Sequence, residues 1–274
     1  MKTRIITALV GTVIILPVLW FSDTYVFVAA FSLLCLVGNF ELLRCIGVHK
    51  KYALALPQYI IAILMPLFTR LGKGSAFWFK AEIFIHILFL MYLLSLAVFS
   101  HGKLKVETVA MSFALCLYIN VGFSSIIMLR DYKDAGAYIF MLVFVGAWFT
   151  DIFAYFTGMA FGKHKLIPDV SPKKTVEGSI GGIVFCALGY IIYGLLVSKF
   201  FEVEMNIIAL AVFGVLVSVI SQVGDLAASL IKREYGVKDY GRLFPGHGGV
   251  LDRFDSVIAV ASALMVLVYT YNIV

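Results

Sequence analysis

Charge is what this sequence has least of. Only 14% of its 274 residues are Asp, Glu, Lys or Arg, against about 25% in an ordinary soluble domain, and 62% are hydrophobic. That balance excludes a chain that buries one core beneath a charged skin. The four cysteines, Cys35, Cys45, Cys116 and Cys186, stand singly in or beside apolar runs and lack the paired spacing of zinc sites, so they read as packing residues. No internal repeat, linker or low-complexity tract divides the chain. The simplest organisation over 1–274 is a single polytopic membrane domain, with N-terminal spans in 1–130 and catalytic spans and polar loops in 138–274. The net charge of +6 comes without any recognisable nucleic-acid module. Its cations flank apolar runs on short loops, which suits membrane lipids and their anionic headgroups as partners and argues for no nucleic acid. Lys2 and Arg4 resemble the start of a secretory signal, but Trp20, Phe21, Ser22 and Asp23 offer no small-x-small cleavage site, and a retained first membrane anchor is expected.

What the chain does have is apolar runs. A helix crossing the hydrocarbon needs roughly 20 apolar residues, because backbone polar groups there must be satisfied within the segment. About nine runs meet this need: Ile5 to Phe21, Tyr25 to Phe40, Tyr52 to Phe68, Ile83 to Phe99, Val106 to Leu129, Tyr138 to Phe161, Ile180 to Ser198, Met205 to Val223, and Phe254 to Val274. The expected fold is an all-α integral membrane protein of about nine transmembrane helices. Sixteen of the 22 Lys and Arg residues then fall on the N-terminal side and six on the other, so the positive-inside rule puts the N-terminus in the cytoplasm. The two longest polar connections, Gly162 to Ser179 and Gly224 to Arg253, fall on that same side and are the expected active-site loops.

The run before the last loop carries a polar stripe. Ser218, Ser221, Gln222, Asp225, Ser229 and Lys232 recur at spacings of three and four and share one helical face, which should meet a wet cavity or a neighbouring helix. Asp225 lies near the membrane boundary, where an ionisable group is costly unless paired or metal-bound. A pairing with Lys232 or Arg233 at the helix end is the plainer alternative. Next comes Pro245-Gly246-His247-Gly248-Gly249-Val250-Leu251-Asp252-Arg253-Phe254-Asp255. Its glycines allow close backbone approach, and such turns can aim N–H groups at phosphate oxygens. Asp252 and Asp255, three apart at a helix start, can project to one side, and carboxylates are the donors Mg²⁺ prefers. Lys232, Arg233, Lys238 and Arg253 supply the positive charge a triphosphate needs.

These residues resemble the phosphatidate cytidylyltransferase family, also called CDP-diacylglycerol synthases. Ser229, Lys232, Arg233, Lys238, Asp239, Gly241, Pro245, His247, Gly248, Gly249, Asp252, Arg253 and Asp255 fill the family's C-terminal pattern without a departure. Trp148 to Gly158, with Asp151 and Tyr155, and Ser171-Pro172-Lys173-Lys174-Thr175 with Glu177-Gly178 also look like the family's segments, whereas the first five spans match only in hydrophobic character. The resemblance implies transfer of CMP from CTP to phosphatidate, giving CDP-diacylglycerol and pyrophosphate, at the cytoplasmic face of the cell (inner) membrane. It also implies homodimerisation. Metal binding falls first to Asp225 and Asp252, then Asp255, with Mg²⁺ as cofactor and a second cation compatible with the site. Lys232, Arg233, Lys238 and Arg253 become phosphate clamps, with Gly248 and Gly249 beside them. His247 either donates to a phosphate or fixes the glycine turn. Lys173 and Lys174 would meet the lipid phosphate, though such cations also serve as topology markers. Asp151 reads as a substrate or metal contact, with an interhelical hydrogen bond as the alternative, and Glu41 as a loop-edge acid. Two rival functions stand beside this one: a CTP-dependent lipid kinase of the polyprenol or phytol type, and a cation-coupled transporter, which would call for inverted repeats and broken helices that the sequence lacks.

Overall fold

A computed structural model describes residues 11, 13, 15–73, 76–271, 273 and 274. The chain is a predominantly helical membrane protein. Its helices are α1 (Tyr25–Cys45), α2 (Tyr52–Gly72), α3 (Ala76–Phe99), α4 (Val106–Arg130), the single turn α5 (Gly136–Ile139), α6 (Met141–Phe161), α7 (Val176–Phe201), α8 (Ile207–Glu234) and α9 (Leu251–Thr270). An antiparallel pair of short strands, β1 (Lys165–Ile167) and β2 (Ser171–Thr175), lies between α6 and α7.

Among the described residues, seven helical segments are long and apolar enough to cross a membrane, which is fewer than the nine runs of the sequence. The expected first span lies partly outside the described residues, as do Lys2 and Arg4. The expected last span does form a helix, α9, but its first turn is charged. The apolar remainder from Ser256 on is about fifteen residues, short of the ~20 a crossing takes. Val257, Ile258, Val260, Ala261, Leu264 and Val268 are all buried, so α9 behaves as a core helix.

The helices form two compact units. The first comprises Met1–Asp131 and Tyr235–Arg253, the second Tyr132–Glu234 and Phe254–Val274. In the first, α1, α2 and α4 pack around Phe27, Leu42, Leu54, Phe123 and Ile126, all essentially inaccessible. Polar side chains inside pair across helices: Asn39 Nδ2 donates to Asn120 Oδ1 at 2.9 Å, and the Cys116 thiol donates to Gln58 Oε1 at 2.8 Å. Such pairs are needed where lipid offers no alternative partner. Arg70 is likewise held by Asp131 at 2.5 Å and by the Ser22 carbonyl at 2.7 Å.

In the second unit, α6, α7 and α8 pack at close range through small residues. A Cβ on Gly214 of α8 would stand 2.7 Å from the Ala187 backbone of α7, and one on Gly182 would stand 3.0 Å from the Thr150 carbonyl of α6. Close backbone approach supplies the dispersion contact that drives helix association in lipid, where apolar burial gives no net drive. The outer faces stay apolar: Ile180, Val184, Leu188, Ile192 and Leu195 of α7 are exposed. A soluble protein rarely shows such a continuous surface. Cys35, Cys116 and Cys186 are free and buried and Cys45 is half-buried, as packing cysteines should be.

Candidate active site

The loop Tyr235–Arg253 of the first unit is organised by two carboxylates. Asp252 Oδ2 accepts the backbone N–H groups of Tyr240 at 2.8 Å, Gly249 at 2.9 Å and Gly241 at 3.3 Å. Glu41, from the last turns of α1, accepts Val250 N–H at Oε1 (3.1 Å) and Leu251 N–H at Oε2 (3.0 Å). These are amides at the start of α9, which have no partner within the helix and favour negative charge. Glycine is required beside them, since a Cβ on Gly241 or Gly249 would collide with the Glu41 carboxylate. Gly248 adopts φ +86°, the left-handed region that other residues avoid, and its carbonyl accepts Phe244 N–H at 2.9 Å. One arm of the loop is tied to α1 a second time, by Arg44 Nη2 donating to the Tyr240 carbonyl at 2.6 Å.

The loop so held encloses a cavity of about 630 Å³ lined by Lys238, Asp239, Gly241, Arg242, Phe244, Pro245, Gly246, His247, Gly248 and Arg253. Its lining carries three permanent cations and a histidine against one acid, a charge balance that suits an anionic ligand. His247 Nδ1 is buried without a hydrogen-bond partner, a costly condition that a ligand oxygen would relieve. The N–H of Gly249 is taken by Asp252 at 2.9 Å, so that amide is not free to serve a ligand. Of the residues singled out from sequence, Lys238, His247, Gly248 and Arg253 line this cavity, while Asp252 and Gly249 build its frame. Sequence reading missed Arg242 in the lining and misjudged Glu41, which is only 3% exposed and is no loop-edge acid. Glu41's position one turn ahead of Arg44, at the end of an apolar run, was the available signal.

The second unit gathers the other acids. The polar stripe of α8 faces inward, with Ser218, Ser221, Gln222 and Lys232 buried, while Val219, Val223 and Leu230 are exposed. Thr150 donates to Ser218 at 2.9 Å and Gln222 Nε2 to the Ser179 carbonyl at 3.3 Å. Asp225 pairs with Lys174 of β2 at 2.5 Å, not with Lys232 or Arg233 as the plainer sequence alternative had it. Asp225, Asp151 and Lys232 all lie within electrostatic reach of Asp255, and Ser256 Oγ donates to Asp151 Oδ2 at 3.3 Å. Lys174 is part of the strand pair, whose entry Glu177 of α7 pins by accepting His164 Nδ1 at 2.7 Å and Lys163 N–H at 3.1 Å. Lys173 and Arg233 are exposed.

Carboxylate oxygens near one another with cations as provisional counter-charges are chemically suited to a hard divalent ion. Among the described residues no group of three or more His, Cys, Asp or Glu side chains is arranged to hold a metal alone.

Comparison with known proteins assigns the chain to a family. Residues 2–271 fit the model of the cytidylyltransferase family. Phosphatidate cytidylyltransferases of Staphylococcus haemolyticus (strain JCSC1435) and Staphylococcus epidermidis (strain ATCC 12228 / FDA PCI 1200) are each 34% identical, and that of Staphylococcus aureus (strain COL) is 32% identical. Each alignment covers 97% of this chain and 98% of the relative. The match runs nearly end to end, and the chain belongs to the cytidylyltransferase family.

Proposed function

We propose that this protein transfers CMP from CTP to phosphatidate, giving CDP-diacylglycerol and pyrophosphate. The observation that carries the reading is the cationic cavity of the Tyr235–Arg253 loop, whose size and charge suit a nucleotide's phosphates. Phosphatidate is a phosphomonoester with a second pKa near ~6, so it is largely dianionic at neutral pH and needs no general base. One of its phosphate oxygens attacks the α-phosphorus of CTP, the bond from that phosphorus to the bridging oxygen breaks, and pyrophosphate leaves with the electron pair. Two polyanions must meet for this, so neutralisation and in-line placement dominate the catalytic task. Lys238, Arg242, Arg253 and His247 bind nucleotide phosphates. Lys173 and Lys174 receive the lipid phosphate, and Lys232 and Arg233 add positive charge from the end of α8. Mg²⁺ would be held first by Asp225, with Asp255 of the same unit as a further acidic ligand, and would neutralise triphosphate charge; Asp252 holds the nucleotide loop in shape. Asp151 orients Ser256 beside this acidic group. The reaction takes place at the cytoplasmic face of the cell membrane, where CTP is present, as the Lys/Arg asymmetry supports.

Purified protein in liposomes, given phosphatidate and CTP labelled at either the α or the γ phosphate, tests the reading. Label from the α position enters lipid with one pyrophosphate released per turnover. Label entering lipid only from the γ position identifies a lipid kinase instead and refutes the proposal.

A further inference from the structure

We propose that Glu41 is a positioning residue for nucleotide binding, a buried carboxylate on a membrane helix that clamps the loop forming the cationic cavity. The inference rests on the reading of that cavity as the CTP site. Glu41 is not itself one of the lining residues but stands behind the cavity wall against Gly241, and both of its oxygens are committed to the amides of Val250 and Leu251, between the cavity residues Gly248 and Arg253. The bond spans 209 residues of chain, so local folding does not produce it. One turn along the same face of α1, Arg44 holds the Tyr240 carbonyl, and the two arms of the loop are thereby fastened to one rigid helix end. Residues three apart on a helix share a face, so both fastenings move together. Gly241 and Gly249 have no room for a side chain because the Glu41 carboxylate fills it. The glycine pattern of the loop is therefore in part an imprint of Glu41.

Glu41→Gln is the discriminating change. It preserves shape but replaces one acceptor with an NH₂ donor facing a backbone N–H, so the two amides cannot both be served. Hydrogen exchange on the full-length protein in detergent should show about tenfold loss of protection at Val250 and Leu251. KM for CTP should rise about tenfold while KM for phosphatidate stays within about twofold. A residue that only stabilises the fold would lower the active fraction, and so kcat, without touching KM for CTP. Unchanged exchange, or KM for CTP within about twofold of the parent, overturns the inference. Should Glu41→Gln fail to fold, Gly249→Ala reads the same clamp from the opposite side by pushing a methyl against the carboxylate. It should raise KM for CTP, and Glu41→Asp in the same chain should lower it again by withdrawing one CH₂; no rise in Gly249→Ala overturns the inference. A parent protein that puts no α-label into lipid refutes the function, whereas the exchange result judges the clamp separately.

Discussion

Three acids were expected to serve the metal, and their surroundings now separate them. Asp225 lies in an ion pair with Lys174 and is about a quarter exposed, whereas Asp252 is nearly buried and bound to three amides. Asp225→Asn should therefore abolish turnover, by at least about a hundredfold, and leave the melting temperature in detergent close to the parent's. Asp252→Asn should also abolish turnover but should in addition destabilise the loop by about 1–3 kcal/mol, since buried amides lose a charged acceptor. Exchange protection at Tyr240 and Gly249 reads that second effect. Near-parental activity in purified Asp225→Asn removes that residue from the metal set, and in purified Asp252→Asn it shows that the loop keeps its shape without that carboxylate. At the cavity wall, Arg242→Ala should raise KM for CTP about tenfold with kcat little changed, the cost of one charge-assisted phosphate contact. An unchanged KM would place Arg242 outside the nucleotide's reach.

Among the elements, helices long enough to be periodic were legible in the sequence and contacts between distant segments were not. The stripe on α8 could be read because 3.6-residue periodicity is carried by adjacent residues, and Ser218, Ser221 and Gln222 do face inward. The strand pair β1–β2 could not, because its residues are mostly charged or exposed and alternate too briefly to show a period of two. Glu41 was misread for a related reason: its partners are backbone amides that leave no mark on residue type, far along the chain. The charged first turn of α9 was legible as chemistry, but its effect on span length was overlooked. Packing of α7 on α8 depends on Gly214, and Gly214→Val should force the Ala187 backbone away. Overpacking of this kind costs about 1–3 kcal/mol. The melting temperature in detergent should fall accordingly, and an unchanged value would show that the α7–α8 contact is looser than the geometry requires.

For the whole molecule the decisive quantity is orientation, because CTP reaches only one side of the membrane. Exposed lysines fall unequally: Lys50, Lys51, Lys103, Lys105, Lys163, Lys165, Lys173 and Lys238 belong to the side counted as cytoplasmic, and Lys73, Lys80, Lys133 and Lys199 to the other. Lys and Arg near span ends are retained in the cytoplasm during insertion, and short loops obey this bias most strictly. Single cysteines placed at Lys165 and at Lys133, in a chain whose four native cysteines are replaced, make the orientation measurable with a thiol reagent that cannot cross lipid. Buried Cys35, Cys116 and Cys186 add no background once removed. In right-side-out vesicles the Lys133→Cys protein should label and the Lys165→Cys protein should not; inside-out vesicles should reverse the pattern. CTP added to the outside should support turnover only in the inside-out preparation, and only while Mg²⁺ is present, with chelation abolishing it and Mg²⁺ restoring it. Labelling of Lys165→Cys from the outer side would turn both long polar loops away from the nucleotide supply, and the proposed reaction could not proceed in the cell as described.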